Sequence, residues 1–252
     1  MKLSIIVPAI RKSKWLALYE SIKKSCHSNW ELFIVGPYEP DFERDNLRWI
    51  KDWGSPVKCA QKAVSMTDAD YITFGADDGL YTPNSIDKMV EFIDEEDYKN
   101  VVVTKHVESD NSASLGVMTD PNYYRINFHN GLKSNIPDNY LQMMGGMCSR
   151  KLFMEVGGFD CKFETGAYAH IDLSIRLQMY GASLVLQDNV IFYCSWSPGM
   201  EGDHGPIHTA TMENDLPYYY KLYRETEKQT RVVIPFDNWK DQPERWVRRF
   251  GK

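Results

Sequence analysis

Asp77 and Asp78 are adjacent carboxylates that follow the apolar run Tyr71, Ile72 and Phe74, with only Gly75 and Ala76 between. Two acids placed where a buried strand reaches the surface are hard oxygen ligands, suited to Mg²⁺ or Mn²⁺. Such ions take one or two protein carboxylates and complete their shell with phosphate and water. The same Asp-Asp-Gly triplet also suits a solvated turn, so its neighbours must decide. Farther along, His204 and His208 lie in a stretch with several glycines, residues 197 to 208. Either imidazole is a candidate for the same cation or for a phosphate, and either is equally well explained as an exposed loop residue.

The elements that must position these groups are legible from periodicity. "LSIIVPAI" is a continuous apolar run closed by Pro8, the pattern of a strand buried on both faces. Trp15, Leu16, Tyr19, Ile22 and Cys26 form one helical stripe. "WELFIVG" reads as a second strand, the segment Pro56 to Met66 as a helix, and "YITFG" as a third strand. Strand and helix alternate, which predicts an open α/β sheet whose ligands bind at the carboxyl ends of its strands. Asp77 and Asp78 lie at such an end. Thr82 and Pro83 are candidates to start a helix whose buried face is Ile86, Met89, Val90 and Ile93. "NVVVTKHV" is a further strand, and residues 109 to 140 read as loops with a small antiparallel ribbon. "MMGGMCSRKLFMEVGGFD" predicts a strand and a short helix stopped by Gly157 and Gly158. After it come a helix at "HIDLSIRLQMYG", two strands at "SLVLQ" and "VIFYCSW", and a last helix carrying Leu216, Tyr219, Tyr220 and Tyr223.

Composition narrows the function. The 252 residues are 43% hydrophobic, enough for one domain with one core. A net charge of −6 argues against a nucleic-acid partner, which calls for a basic face. No apolar run suggests a transmembrane segment and the first residues do not resemble a signal peptide, so a cytoplasmic protein is expected. The five cysteines are scattered without metal-ligand spacing and are expected to be reduced and buried. "ERWVRRFGK" mixes aromatic and basic residues. It suits a terminal helix docked on its own domain, or peripheral contact with an anionic membrane.

Four pieces, in order, resemble the nucleotide-sugar glycosyltransferases of the GT-A fold, in particular glycosyltransferase family 2: "SIIVPAI", "GADDGLYTP", "GGMCSRKLFMEVGGFD" and "HIDLSIRLQMYG". The resemblance runs from about Leu3 to Tyr223. It implies a mostly parallel twisted sheet with helices on both faces and a small antiparallel ribbon. Residues 1–108 would form a nucleotide-binding half, 109–228 an acceptor-binding half and 229–252 a C-terminal tail. The implied activity is metal-dependent transfer of a hexose or deoxyhexose, with inversion, from a UDP-, GDP- or dTDP-linked donor to a hydroxyl of a glycan or glycolipid-like acceptor. A retaining reaction stays open, as does a non-catalytic nucleotide-sugar or carbohydrate-binding protein on the same fold.

Carried onto this sequence, the resemblance makes Asp78 the metal ligand and Asp77 a second ligand or ribose partner. Ala76 and Gly79 stand where many relatives have further aspartates. Pro8 and Ala9 would present backbone to the base. The turn after the second strand reads "VGPYEP" in place of an Asp-rich turn, leaving Glu39 as a substitute and Tyr38 as a stacking candidate. Lys58 and Lys62 would face diphosphate, unless they form a solvated helix face. Gly145, Gly146 and Met147 would line the sugar and acceptor pocket. Where inverting relatives read Glu-Asp-x-Asp-Leu, this chain reads Ala169, His170, Ile171, Asp172, Leu173. Position favours His170 as base, and an imidazole with a reference pKa of about 6.5 is competent. Chemistry permits either residue, although Asp172 also suits a helix-terminal ion pair with Arg176.

Overall fold

The first strand, β1 (Lys2–Pro8), has Leu3, Ile5, Ile6 and Val7 fully buried, and successive side chains enter opposite cores. Pro8 ends it, because proline has no N–H for a further ladder bond. The computed structural model describes residues 1–93, 97–108, 125–126, 135–143, 145–194 and 204–250. Besides β1, its strands are β2 (Asn29–Gly36), β3 (Leu47–Lys51), β4 (Tyr71–Phe74), β5 (Gly79–Tyr81), β6 (Asn100–Glu108), β7 (Gly146–Ser149) and β8 (Ser183–Cys194). They form one sheet in the order β3-β2-β1-β4-β7-β6-β8-β5. The β3-β2-β1-β4 part is parallel, as is β6 with β8. Strand β7 runs antiparallel to β4 and β6, and β5 antiparallel to β8.

Helices cover both faces. α1 (Lys12–Ser25) and α3 (Ser85–Phe92) pack on one core, while α2 (Pro56–Met66), α4 (Arg150–Glu155) and α5 (Gly166–Met179) pack on the other. After them come α6 (Gly205–Ala210), a π-helical turn (Thr211–Asp215), α7 (Leu216–Tyr223), a 3₁₀ turn (Phe236–Asp241) and α8 (Val247–Phe250). α2 starts as its sequence dictates: Ser55 accepts a hydrogen bond from the Lys58 amide at 3.2 Å and Pro56 occupies the first turn.

Local expectations are corrected at four places. In α1 the buried stripe is Trp15, Leu18, Tyr19 and Ile22, and Leu16 faces out, 48% exposed. α3 begins at Ser85 behind Asn84 in a left-handed conformation (φ 60°), rather than at Thr82. The two expected strands near residue 190 are one, β8, whose pairing with β6 shifts register opposite Thr104 and Lys105; that irregularity absorbs residues 188–190. β3 and β5, of five and three residues, were not expected, being too short to show a period. The ribbon expected within 109–140 falls mostly outside the described residues; among those described, one antiparallel bridge joins Arg125 to Leu141. All five cysteines are free and buried. Among the described residues no helix is long and apolar enough to cross a membrane.

Candidate functional site

Parallel pairing of β1 with β4, with Ile6 opposite Phe74, delivers the residues after both strands to one edge of the sheet. There the chain segments bind each other. Asp77 is 3% exposed and accepts hydrogen bonds from the backbone N–H groups of Ile10 (2.7 Å) and Arg11 (2.6 Å), and from the Arg11 guanidinium. The Asp78 carboxylate lies 3.6 Å from Arg11 Nη1 and 3.8 Å from His204 Nε2. His204 Nε2 is itself 3.2 Å from Arg11 Nη2. Burial pushes the Asp78 carboxyl above the usual range; Arg11 opposes that shift and the neighbouring Asp77 adds to it.

These residues form the floor of a cleft of about 450 Å³. Pro8, Ala9, Gly36, Pro37 and Gly54 make one end. Gly36 is required there, because a Cβ would fall 2.0 Å from the Ala9 carbonyl oxygen. Thr165, Gly166 and His170, from the start of α5, also line it, as do His204, His208 and Thr211.

Helix α5 begins four residues before His170, so His170 and Asp172 are both helical and two steps of about 100° point them to opposite faces. His170 turns to the cleft, its ring edge-on to Phe159 at 5.0 Å and Phe74 at 5.9 Å. Asp172 turns into the core, fully buried. It accepts hydrogen bonds from Arg176 Nε (2.8 Å), the Tyr223 hydroxyl (2.6 Å) and the Arg231 guanidinium. Burial opposes its charge, but Arg176, Arg231 and the Tyr223 hydroxyl outweigh that and hold its carboxyl below the usual range.

Other expected site residues are placed elsewhere. Lys62 is bound to Asp52 at 2.7 Å and Lys58 lies 3.8 Å from the same carboxylate, so that acid draws both away from the cleft. Glu39 is exposed and borders a separate surface hollow with Phe42 and Arg44. Gly145 and Gly146 meet β6, and Gly146 (φ 134°) has no room for a Cβ, which would lie 2.1 Å from the Val102 carbonyl oxygen. Met147 is fully buried between Thr73 and Val102. These three residues serve the sheet. Conversely, Arg11, Thr165, Thr211, Trp246, Arg249 and Phe250 line the cleft without having been singled out for it. Arg11 carries the one readable signal, a cation three residues beyond the end of β1.

The donor set permits a particular kind of metal binding. Asp77 already accepts three hydrogen bonds, Asp78 has His204 nearby, and the described residues hold no group of three or more potential metal ligands. That fits a divalent ion arriving with diphosphate and water as its remaining ligands.

Comparison with known proteins agrees with this architecture. The crystal structure of S. aureus TarS superimposes with a TM-score of 0.55 at 16% identity, covering 85% of this chain and 40% of that one. The structure of S. aureus TarS 1-349 in complex with UDP gives 0.54 at 15% identity, covering 79% of this chain and 62% of that one. The chain therefore spans less than two thirds of the length of either, and the likeness is one of fold. The model of Glycosyl transferase family 2 matches residues 4–157, more than half of the sequence. The chain belongs to glycosyltransferase family 2.

Proposed function

We propose that this protein transfers a sugar from a nucleoside-diphosphate sugar to a hydroxyl of a glycan or glycolipid-like acceptor, with inversion. The observation that carries the reading is the meeting, in one cleft at the carboxyl ends of β1 and β4, of an acid pair with its own arginine and a histidine from the first turns of α5. The end of the cleft at Pro8, Ala9 and Gly36 is backbone-rich and takes the nucleoside. Asp77 holds the turn at Ile10 and Arg11 in place, which fixes the floor beneath the diphosphate. Asp78, with His204 beside it, would hold a Mn²⁺ or Mg²⁺ ion, which when bound supplies positive charge against the departing diphosphate. His170 takes the proton of the acceptor hydroxyl as its oxygen attacks the anomeric carbon. Phe74 and Phe159 hold that ring by its edges, so the imidazole enters the reaction already oriented.

The test is release of nucleoside diphosphate from UDP-, GDP- and dTDP-sugars in the presence of Mn²⁺, with wild type compared with Asp78→Ala. Release by wild type that falls sharply in the variant supports the reading. Asp172 is withdrawn into the core, so in this reading the proton falls to His170, and the lack of a carboxylate at that place also suits a binding protein without turnover. Donor binding by wild type with no release from any sugar would favour that second reading.

A further inference from the structure

The segment Trp246–Phe250 is built into the cleft, although it lies far from the acid pair in sequence and outside the matched region. Its anchoring is specific. The Trp246 N–H donates to the Trp53 carbonyl at 2.6 Å, and the Trp246 side chain is buried with its indole N–H bound to Glu164. Arg248 pairs with the same Glu164 and lies 3.8 Å from Glu213. Phe250 meets the Trp53 ring edge-on at 5.2 Å. The segment is thus tied to the loop between β3 and α2, to the residue before the α5 cap and to the π-helical turn. Those ties hold Arg249 and Phe250 on the rim of the cleft between its nucleoside end and α5.

Charge gives this placement a purpose. Among the described lining residues, Arg11 and Arg249 are the arginine and lysine side chains present. Arg11 is committed to Asp77, so its charge is largely balanced by that carboxylate. A nucleoside-diphosphate sugar adds two further negative charges beside Asp78. Resting on the proposed donor chemistry, the geometry points to Arg249 as a donor-binding residue for the pyrophosphate, and to Phe250 with Trp53 as an aromatic rim that flanks the nucleoside. A guanidinium suits this task because its planar fork donates to two phosphate oxygens at once. The anchor at Trp246 fixes the backbone in advance, which lowers the ordering cost of binding.

The experiment is calorimetric titration of wild type, Arg249→Gln, Arg249→Lys, Phe250→Ala and Val247→Ala with UDP, GDP and dTDP and with the corresponding nucleosides, folding being checked by circular dichroism. Trp246 and Glu164 stay intact in every variant. For the diphosphate that wild type binds, Arg249→Gln is expected to weaken affinity by about tenfold or more while changing nucleoside affinity less than about twofold. Arg249→Lys should recover part of the loss. Phe250→Ala should weaken nucleoside and diphosphate alike, and Val247→Ala, at an exposed position, should change neither. Wild-type binding that is unchanged in a folded Arg249→Gln overturns this inference and leaves the proposed function standing. Tighter binding in Arg249→Gln or Phe250→Ala also overturns it, since the segment would then be a plug. Absence of binding of any diphosphate to wild type overturns both.

Discussion

Asp77 and Arg11 are joined twice, the carboxylate accepting from the Arg11 backbone N–H at 2.6 Å and from its guanidinium. An acid at the end of β4 therefore sets the shape of the turn after β1, and the same guanidinium reaches toward Asp78 and His204. Asp77→Ala leaves the part-buried N–H groups of Ile10 and Arg11 without this acceptor, at a cost of about 1–3 kcal/mol of stability. Donor binding should weaken with it, and Asp77→Asn should restore part of both, since one carboxamide oxygen still accepts. Chemical denaturation and donor titration on the three proteins check this. Equal stability of Asp77→Ala and wild type would show that the turn stands without the acid.

Gly36 gives a prediction from shape alone. Its missing Cβ makes room for the Ala9 carbonyl, whose residue is held by a 2.8 Å hydrogen bond from its N–H to Val35. Gly36→Ala must push the end of β1 away from β2, at a cost of about 1–3 kcal/mol as an overpacked contact. Because Ala9 and Gly36 share the proposed nucleoside end of the cleft, nucleoside affinity should fall together with the midpoint of denaturation. A variant with wild-type stability and wild-type nucleoside binding would contradict the contact.

The parts of the fold that could be read from sequence are the continuous apolar runs of β1, β2 and β4 and the helical stretches of α2, from Pro56 to Met66, and α5. What could not be read depends on distant partners. β5 is three residues long and is a strand because Phe192 and Cys194 of β8 lie opposite it. The departure of Lys58 and Lys62 from the cleft is caused by Asp52, an acid with no local pattern to mark it. At the site, Asp77 and Asp78 stand out because two carboxylates after an apolar run are unusual. Arg249 and Phe250 do not, because their place in the cleft is set by Trp246 docking on Trp53 and Glu164, residues distant in sequence.

His170 and Asp172 should separate cleanly in kinetics. If His170 is the base, His170→Ala lowers turnover by on the order of 10²–10⁴-fold while donor affinity holds. The base works unprotonated, so wild-type turnover rises with pH along its acid limb, and the variant should lose that limb. Because the ring packs on Phe74 and Phe159, His170→Gln is the second variant, keeping bulk without the basic nitrogen. Retention of the acid limb in both variants would assign the proton transfer to another group.

Asp172 carries the opposite signature, one of stability. Its carboxylate sits between Arg176, which is fully buried, and Arg231, with the Tyr223 hydroxyl as a third donor. Removing it leaves the buried Arg176 without its counter-charge, while Arg231 keeps Asp160 at 2.9 Å, and breaking such a buried pair costs about 3–5 kcal/mol. Asp172→Asn should lose most of that at neutral pH. The pH dependence follows from the direction of the shift: the folded-state pKa lies below the ordinary aspartate value of about 3.9, so folding favours the ionised form. The stabilisation is complete above that value and fades as pH falls through the lower, folded-state value. The stability gap between wild type and Asp172→Asn should therefore be constant from neutral pH to near the ordinary aspartate value of about 3.9 and narrow only below it. Denaturation midpoints of the two proteins across that range measure the gap. A gap that opened as the pH was lowered would mean that Asp172 folds in its protonated form and that the arginines find their charge elsewhere.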